Sequence, residues 1–354
     1  MNFGDDVFLH VVTEELRLRH PGSKFYMDAD TNGVVSRACG VVTAQPLGLK
    51  LPFRSRLRRF RFRKGAKCFV LSGGSLLPNL EGVESLSNDE HWFTAGRFMI
   101  ALGLSVGPFE SVEHEDSIVK LLRRMKYVAF RDSQSYEWAC KKGLTANSCR
   151  AFDLAVLFGN ASEPEFRDRQ LDSVIGVSLL AWQAQLDSKD LHKDLAFARE
   201  LGQRLRVVVG STGQRVVFLS LCLSSYSDDR LVGDAFAEGF GRRVERFAHN
   251  GDAKRTFERI RQLSQFVSMR LHGSILAYTA GVPFLSLEYH PKCKDFAVTI
   301  GLDERHRVRV DDIQVDEILL KVAPLLEQRE VCSDVSLARA QTWAKKNFDH
   351  LFLD

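Results

Sequence analysis

The chain has 354 residues, enough for two domains of ordinary size, and its 45% hydrophobic and 27% charged content is that of a folded globular protein. A formal net charge of +4 argues for no particular partner, and no apolar run approaches the ~20 residues that a membrane span needs. Seven dispersed cysteines, none in a CxxC or a Cys/His cluster at metal spacing, point to reduced thiols and a cytoplasmic setting.

The chain opens Met1-Asn2-Phe3-Gly4-Asp5-Asp6. Gly4 suits a tight turn and Asp5 or Asp6 a helix N-cap, with Phe8, Val11, Val12 and Leu16 at helical spacing behind them. Such a loop-to-helix start normally follows a strand, so a few residues are expected to be missing ahead of it. The plainer reading is a frayed N-terminal helix with ordinary caps. A strand is expected at Lys24–Met27 and a loop from Asp28 to Pro46. A basic tract follows, Arg54, Arg56, Arg58, Arg59, Arg61, Arg63, Lys64 and Lys67, interleaved with Phe53, Leu57, Phe60 and Phe62. It could dock on anionic lipid headgroups, a phosphorylated acceptor or nucleic acid; its plain structural reading is a solvated amphipathic face.

Cys68–Leu71 reads as a strand, and Ser72-Gly73-Gly74-Ser75 after it lets backbone approach a ligand, although it matches no phosphate-loop or dinucleotide fingerprint. Phe98–Val106 is a second apolar run, Ile118–Met125 an amphipathic helix and Tyr127–Phe130 a strand. Arg131-Asp132-Ser133 stands at that strand's end, before a helix over Gln134–Lys142 that stops at Gly143. Asp153 lies alone among apolar neighbours, as a ligand group, a cap or a hydrogen-bonded core acid. The polar stretch 160–170 is the expected domain boundary.

A second alternating series follows: strands at Val174–Leu180, Val216–Leu221 and Arg246–Ala248, with helices at Leu191–Leu205, after Asp228-Asp229 and at Ala253–Leu263. The stretch Gln265–Phe296 is the most informative. A strand, Phe266–Met269, runs into Arg270-Leu271-His272, Gly273-Ser274 opens a helix over Ile275–Ala280, and Val282–Leu287 is the next strand. Helices at Val315–Leu326 and Val335–Phe348 close the chain. The expected fold is α/β: two Rossmann-like, doubly wound domains facing a cleft, over residues 1–165 and 171–330, with a C-terminal helix in 331–354.

Arg131, Arg270, His272 and Lys292, with the carboxylates Asp5 and Asp153, form the candidate site. Arginine binds carboxylate and phosphate bidentately, and histidine transfers protons near neutral pH. Together they describe a site for a compact, multiply charged anion with acid–base chemistry. Structurally, both arginines could instead be ion-paired and His272 a capping or core residue. No GxSxG elbow is present, and nothing in the sequence activates Cys293 as a nucleophile.

Five segments resemble the polysaccharide pyruvyl transferase family: Asn2–Asp6, Ser72–Leu77, Phe130–Ser135 followed by Asp153, Asp228-Asp229, and Arg270-Leu271-His272-Gly273 with Tyr289-His290-Pro291-Lys292 and Phe296. The R-L-H plus Y-x-P-K pairing is the most specific. The chain departs from the family in lacking the strand ahead of Asn2 and the proline that often follows the acid at Asp153. The resemblance implies a GT-B-like fold, the N-terminal domain on the acceptor side and the C-terminal domain holding the donor anion. It implies transfer of pyruvate from phosphoenolpyruvate onto a sugar of a polysaccharide or its lipid-linked precursor, leaving a ketal and releasing phosphate. His272 is then the proton donor, Asp5 or Asp153 the base or acceptor-orienting group, and Arg131, Arg270, Leu271, Lys292, Gly73 and Gly74 bind substrate. No metal or other cofactor is expected, nor a nucleic-acid partner; the protein is expected in the cytoplasm, with Arg54–Lys67 suited to peripheral contact at the inner membrane face. Two alternatives stay open: a GT-B glycosyltransferase using a nucleotide sugar, with Glu288 and Tyr289 at the donor, or a non-catalytic member that binds polysaccharide or a partner.

Overall fold

A computed structural model describes residues 2–27, 34–43, 64–74, 76–77, 79–159, 173–186, 190–210, 213–224, 227–241, 244–310, 315–349 and 351. Most of the basic tract (54–63) and the expected boundary (160–170) lie outside the described residues. No described helix is long and apolar enough to cross a membrane.

Helix α1 (Phe3–Arg19) starts earlier than expected, so Gly4, Asp5 and Asp6 lie in its first turn and do not cap it. A two-residue parallel pair, β1 (Tyr26–Met27) and β2 (Val42–Thr43), follows. A four-stranded parallel sheet then forms in sequential order from β3 (Cys68–Ser72), β4 (Phe98–Leu104), β5 (Tyr127–Phe130) and β6 (Ser148–Arg150). Its core is Met99, Ala101, Leu104, Val128 and Phe130 against Ile118, Leu121 and Leu122.

The second sheet has six parallel strands: β7 (Val174–Ser178), β8 (Arg215–Ser220), β11 (Val244–Ala248), β12 (Gln265–Ser268), β13 (Phe284–Glu288) and β14 (Arg307–Arg309). Its order is β11-β8-β7-β12-β13-β14, the Rossmann order 3-2-1-4-5-6. A short antiparallel pair, β9 (Leu223–Ser224) and β10 (Ser227–Asp228), sits beyond β8. Every residue of β7, β12 and β13 is buried. Strands covered on both faces read as unbroken apolar runs, which is why periodicity finds them but does not assign a face.

The chain divides into two compact units, but not by one cut near residue 165. Met1–Asp6 groups with Phe158–Leu337, and Ala338–Asp354 groups with Val7–Leu157. Local bonds give the reason. Phe3 N donates to Leu221 O at 3.0 Å, and Asn2 forms a bridge with Cys222. At the other end, Asn347 Oδ1 accepts from Gly103 N at 2.7 Å and its Nδ2 donates to Phe152 O at 2.9 Å. Asp5 therefore belongs to the unit of the six-stranded sheet, contrary to expectation.

Candidate functional site

In the six-stranded sheet the chain steps outward from β7 through β8 to β11, then returns to β12 on the other side of β7. That reversal opens a crevice at the carboxyl ends of β7 and β12, where open α/β sheets bind ligands. From β12, Met269-Arg270 leads into α2 (Leu271–Thr279), which starts at Leu271 and not after Gly273-Ser274. Arg270 is the N-cap residue, and no side chain caps the helix. The first intrahelical amide bond back is Ser274 N to Arg270 O, 3.1 Å. The amides ahead of it and the helix dipole give this edge a positive end.

The Arg270 side chain turns to Asp229, the first residue of the helix Asp229–Phe240. Nε donates to Asp229 Oδ2 at 3.1 Å, and Nη2 donates to Asp229 Oδ1 and to Ser227 Oγ, the latter at 2.7 Å. Asp229 Oδ2 also accepts the amides of Leu221 at 3.0 Å and Cys222 at 2.9 Å. Burial pushes the Asp229 carboxyl up, opposed by Arg270 and these two amides. Burial would lower the Arg270 guanidinium, but Asp229 outweighs it and raises it, so the cation is permanent. Arg270 is thus both at the edge and ion-paired, the two readings its position in the sequence left open.

His272 lies in the first turn of α2, with its ring against the backbone of Gly4; a Cβ on Gly4 would overlap that ring, reaching Cγ at 2.6 Å. Only glycine gives the imidazole this platform. The platform is itself held in place. Gly4 N donates to Asn2 Oδ1 at 3.2 Å, and Asp6 Oδ2 pairs with His249 Nε2 at 2.6 Å. His249 Nδ1 bonds Thr256 Oγ1 at 2.8 Å, and its fully buried ring lies 5.1 Å from that of Phe3. Asp6, not Asp5, is the acid built into the fold; Asp5 is exposed.

Beyond β13, His290 caps the helix Pro291–Thr299, its Nδ1 accepting from Lys292 N at 3.3 Å. Lys292 Nζ stands 5.8 Å from the centre of the Tyr289 ring. Burial raises the Tyr289 phenol well above its usual value, followed by the Cys293 contribution and opposed by Arg270, so it stays a protonated donor. Glu288 is bound by Arg307 through both oxygens, Nε to Oε1 at 2.6 Å and Nη2 to Oε2 at 3.3 Å.

The four-stranded sheet carries its own cluster. Gly73 takes a φ of 138°, and a Cβ on Gly74 would overlap the guanidinium of Arg131, which follows β5. Arg131 Nη1 donates to Asp153 Oδ2 at 2.9 Å, while Asp153 Oδ1 accepts Ala155 N at 2.9 Å. Both side chains are buried. Here Asp153 fixes Arg131, and engagement of both its oxygens tells against a role as base.

The structure thus gathers Arg270, Leu271, His272 and Lys292 on the carboxyl edge of one sheet. It gathers Arg131, Asp153, Gly73 and Gly74 on that of the other. The Leu271 side chain is buried, so what it offers this edge is a first-turn amide. The sequence reading missed Asp6–His249, Arg270–Asp229 and Glu288–Arg307. The adjacent acids Asp228-Asp229 were a visible signal for the second of these; nothing local marked His249.

A family model described as polysaccharide pyruvyl transferase matches residues 2–291. The amylovoran biosynthesis protein AmsJ of Erwinia amylovora is 25% identical over 279 residues, 73% of this chain and 65% of that protein. The match therefore spans less than two thirds of that relative's length. Among solved structures, MnaA of S. aureus with UDP superposes with a TM-score of 0.63 at 8% identity, over 97% of this chain and 91% of that one. A putative UDP-N-acetylglucosamine 2-epimerase from Listeria monocytogenes gives 0.60 at 10% identity, over 92% and 86%. At such identities the likeness shows the fold alone: two Rossmann-like units of the GT-B type.

Proposed function

The chain belongs to the polysaccharide pyruvyl transferase family, and from that premise we propose that it transfers pyruvate from phosphoenolpyruvate onto a sugar of a cell-surface polysaccharide, or of its lipid-linked precursor, as a ketal. One observation carries the reading: an imidazole in the first turn of a helix without a side-chain cap, braced on Gly4, at the strand-order reversal. The relative named for amylovoran biosynthesis supports a biosynthetic setting.

Phosphoenolpyruvate carries a carboxylate and a phosphate on one three-carbon frame. Such an anion suits first-turn amides, a fixed guanidinium and an ammonium, here those of α2, Arg270 and Lys292. His272 gives a proton to the methylene carbon as the double-bond electrons take it up, and the central carbon becomes oxocarbenium-like. A sugar hydroxyl adds there and loses its proton; the bond from carbon to the phosphate oxygen breaks, and phosphate leaves. A second hydroxyl closes the ketal. Of the two hydroxyl protons, one balances that placed on the methyl group and the other leaves with phosphate. Asp5, exposed in the first turn of α1, is the group in this unit proposed to take a hydroxyl proton. Saccharide acceptor, cytoplasmic location and contact with the inner membrane face belong to the same proposal.

The nucleotide-sugar alternative wants a carboxylate for a ribose, and Glu288 is held by Arg307 through both oxygens. That favours the pyruvyl transferase. The test is thermal stabilisation by phosphoenolpyruvate and by nucleotide sugars, followed by phosphate release with and without acceptor glycan. Stabilisation by phosphoenolpyruvate alone, with acceptor-dependent phosphate release that His272→Ala abolishes while binding persists, supports the reading. Stabilisation by a nucleotide sugar alone, or by neither, overturns it.

A further inference from the structure

The proposed chemistry leaves the amino edge of the four-stranded sheet unused. Lys67, Arg97 and Lys126 each stand immediately before a strand, β3, β4 and β5 in turn. The backbone sets their register: Phe98 N donates to Lys67 O at 3.0 Å, and Lys126 N to Met99 O at 2.9 Å. Lys67 and Arg97 are therefore direct neighbours across β3 and β4, while Lys126 stands opposite Met99, two residues further along β4, so the three cations form a staggered row. Arg124, the last residue of the helix Val112–Arg124, joins them, and all four line a cavity of about 730 Å³ with Phe93 and Phe98.

Three of the four charges are held on aromatic or backbone supports. Arg124 lies over the Phe93 ring at 3.8 Å and Lys126 over Phe98 at 4.3 Å. Arg97 Nη2 donates to Lys64 O at 3.1 Å, and Arg124 Nη1 to Ser87 O at 2.6 Å. Arg124 also pairs with Glu90 at 2.7 Å, but no carboxylate is among the described residues that line the cavity. Parallel sheets place their ligand chemistry at the carboxyl edge, where Arg131 and Gly74 lie, so this cavity is a separate feature.

We propose that this cavity binds an acidic saccharide, its carboxylates on the cation row and its ring C–H faces against the aliphatic stems and aromatic edges. A cluster of cations beside aromatic rings, with no carboxylate among the described lining residues, matches a sugar chain that carries carboxylates. A lipid surface fits less well. Membrane-facing patches present protruding apolar side chains beside their cations. Among the described residues of this unit, the large exposed apolar ones are Leu18, Tyr26, Val42 and Val112, and none of them lines the cavity. The inference goes beyond the proposed function and uses one point from it: ketal transfer adds a carboxylate to every sugar it modifies.

The test is calorimetric titration of the full chain with a galacturonate trisaccharide and with its neutral methyl ester, at low and physiological salt. Binding of the acid form only, weakened by salt, is expected. Lys67→Gln/Arg97→Gln/Lys126→Gln should weaken it at least about tenfold. The charge-keeping pair Lys67→Arg/Lys126→Arg should retain it, with unchanged melting curves as the folding check. Equal binding of acid and ester overturns the proposal, as does full binding by the triple Gln variant. Loss in that variant of affinity for phosphatidylglycerol vesicles, with the trisaccharide unaffected, assigns the row to lipid and also overturns it. The titration needs no turnover, so it stands or falls apart from the phosphoenolpyruvate reading.

Discussion

Gly4→Ala separates a catalytic from a structural role for the His272 platform. Two effects on stability oppose each other. Alanine in a helix is favoured over glycine by about 1 kcal/mol. Against this, the new methyl would overlap His272 Nδ1 and Cε1 and sit 2.6 Å even from Cγ, where 3.4 Å begins ordinary contact. The ring must withdraw by well over about 1 Å or leave its rotamer, an overpacking cost of about 1–3 kcal/mol. The overlap outweighs the gain by up to about 2 kcal/mol, so the melting temperature should fall by a few degrees. Turnover should not be so insensitive, because a misplacement of about 1 Å at a reacting group can cost ~100-fold. Phosphate release from phosphoenolpyruvate is the assay, with donor affinity measured separately. The double variant Gly4→Ala/His272→Ala should be no slower than His272→Ala, since the first change acts through the second residue. Wild-type turnover in Gly4→Ala, or a double variant much slower than His272→Ala, would refute this reasoning.

Three further outcomes are expected. Arg131→Ala strands Asp153 in a buried site and should destabilise by about 3–5 kcal/mol in denaturant unfolding; a loss under 1 kcal/mol would mean that the pair is not structural. His249→Ala removes the partner of Asp6 and should lower both stability and turnover, whereas His249→Gln, which can still donate to Asp6, should recover part of each in the same assays. Burial raises the Cys68 thiol from 9.0 to about 12, against the nearby Lys126. Its contribution to stability is therefore intact below pH 9 and declines as pH rises from about 9 to about 12, because the unfolded chain loses that proton first. Alkylation at pH 8 should label exposed Cys140 well before Cys68, as mass spectrometry of digests would report.

The alternation of strands and helices was legible because it depends on local pattern. Val174–Ser178 and Tyr127–Phe130 are largely apolar runs bounded by turn and polar residues and are strands in the structure, and the expected strand Phe266–Met269 is found as Gln265–Ser268. Helix starts were less legible. A boundary depends on which amides and side chains find partners: α2 begins at Leu271, so His272 is a helical residue and not part of a loop. Gly4 likewise read as a turn glycine, although it is in a helix and is needed because an imidazole lies on it.

By itself the sequence determined the class of fold, the placement of Arg131 and Arg270 at strand ends, and the segments that carry the family. These follow from periodicity and short-range spacing, which a single chain displays. Only the tertiary structure decided the order of the six strands, and with it the reversal at β7 and β12. It also decided the partners of these buried groups: Arg270 with Asp229 across 41 positions, Arg131 with Asp153 across 22, and His249 with Asp6 across 243. Burying a charge requires a partner, but the requirement does not say which one. The chain can meet it only when folding brings distant segments together, so the same residue types that suggest an anion site in the sequence become, in the structure, a few fixed ion pairs around His272 and Gly74.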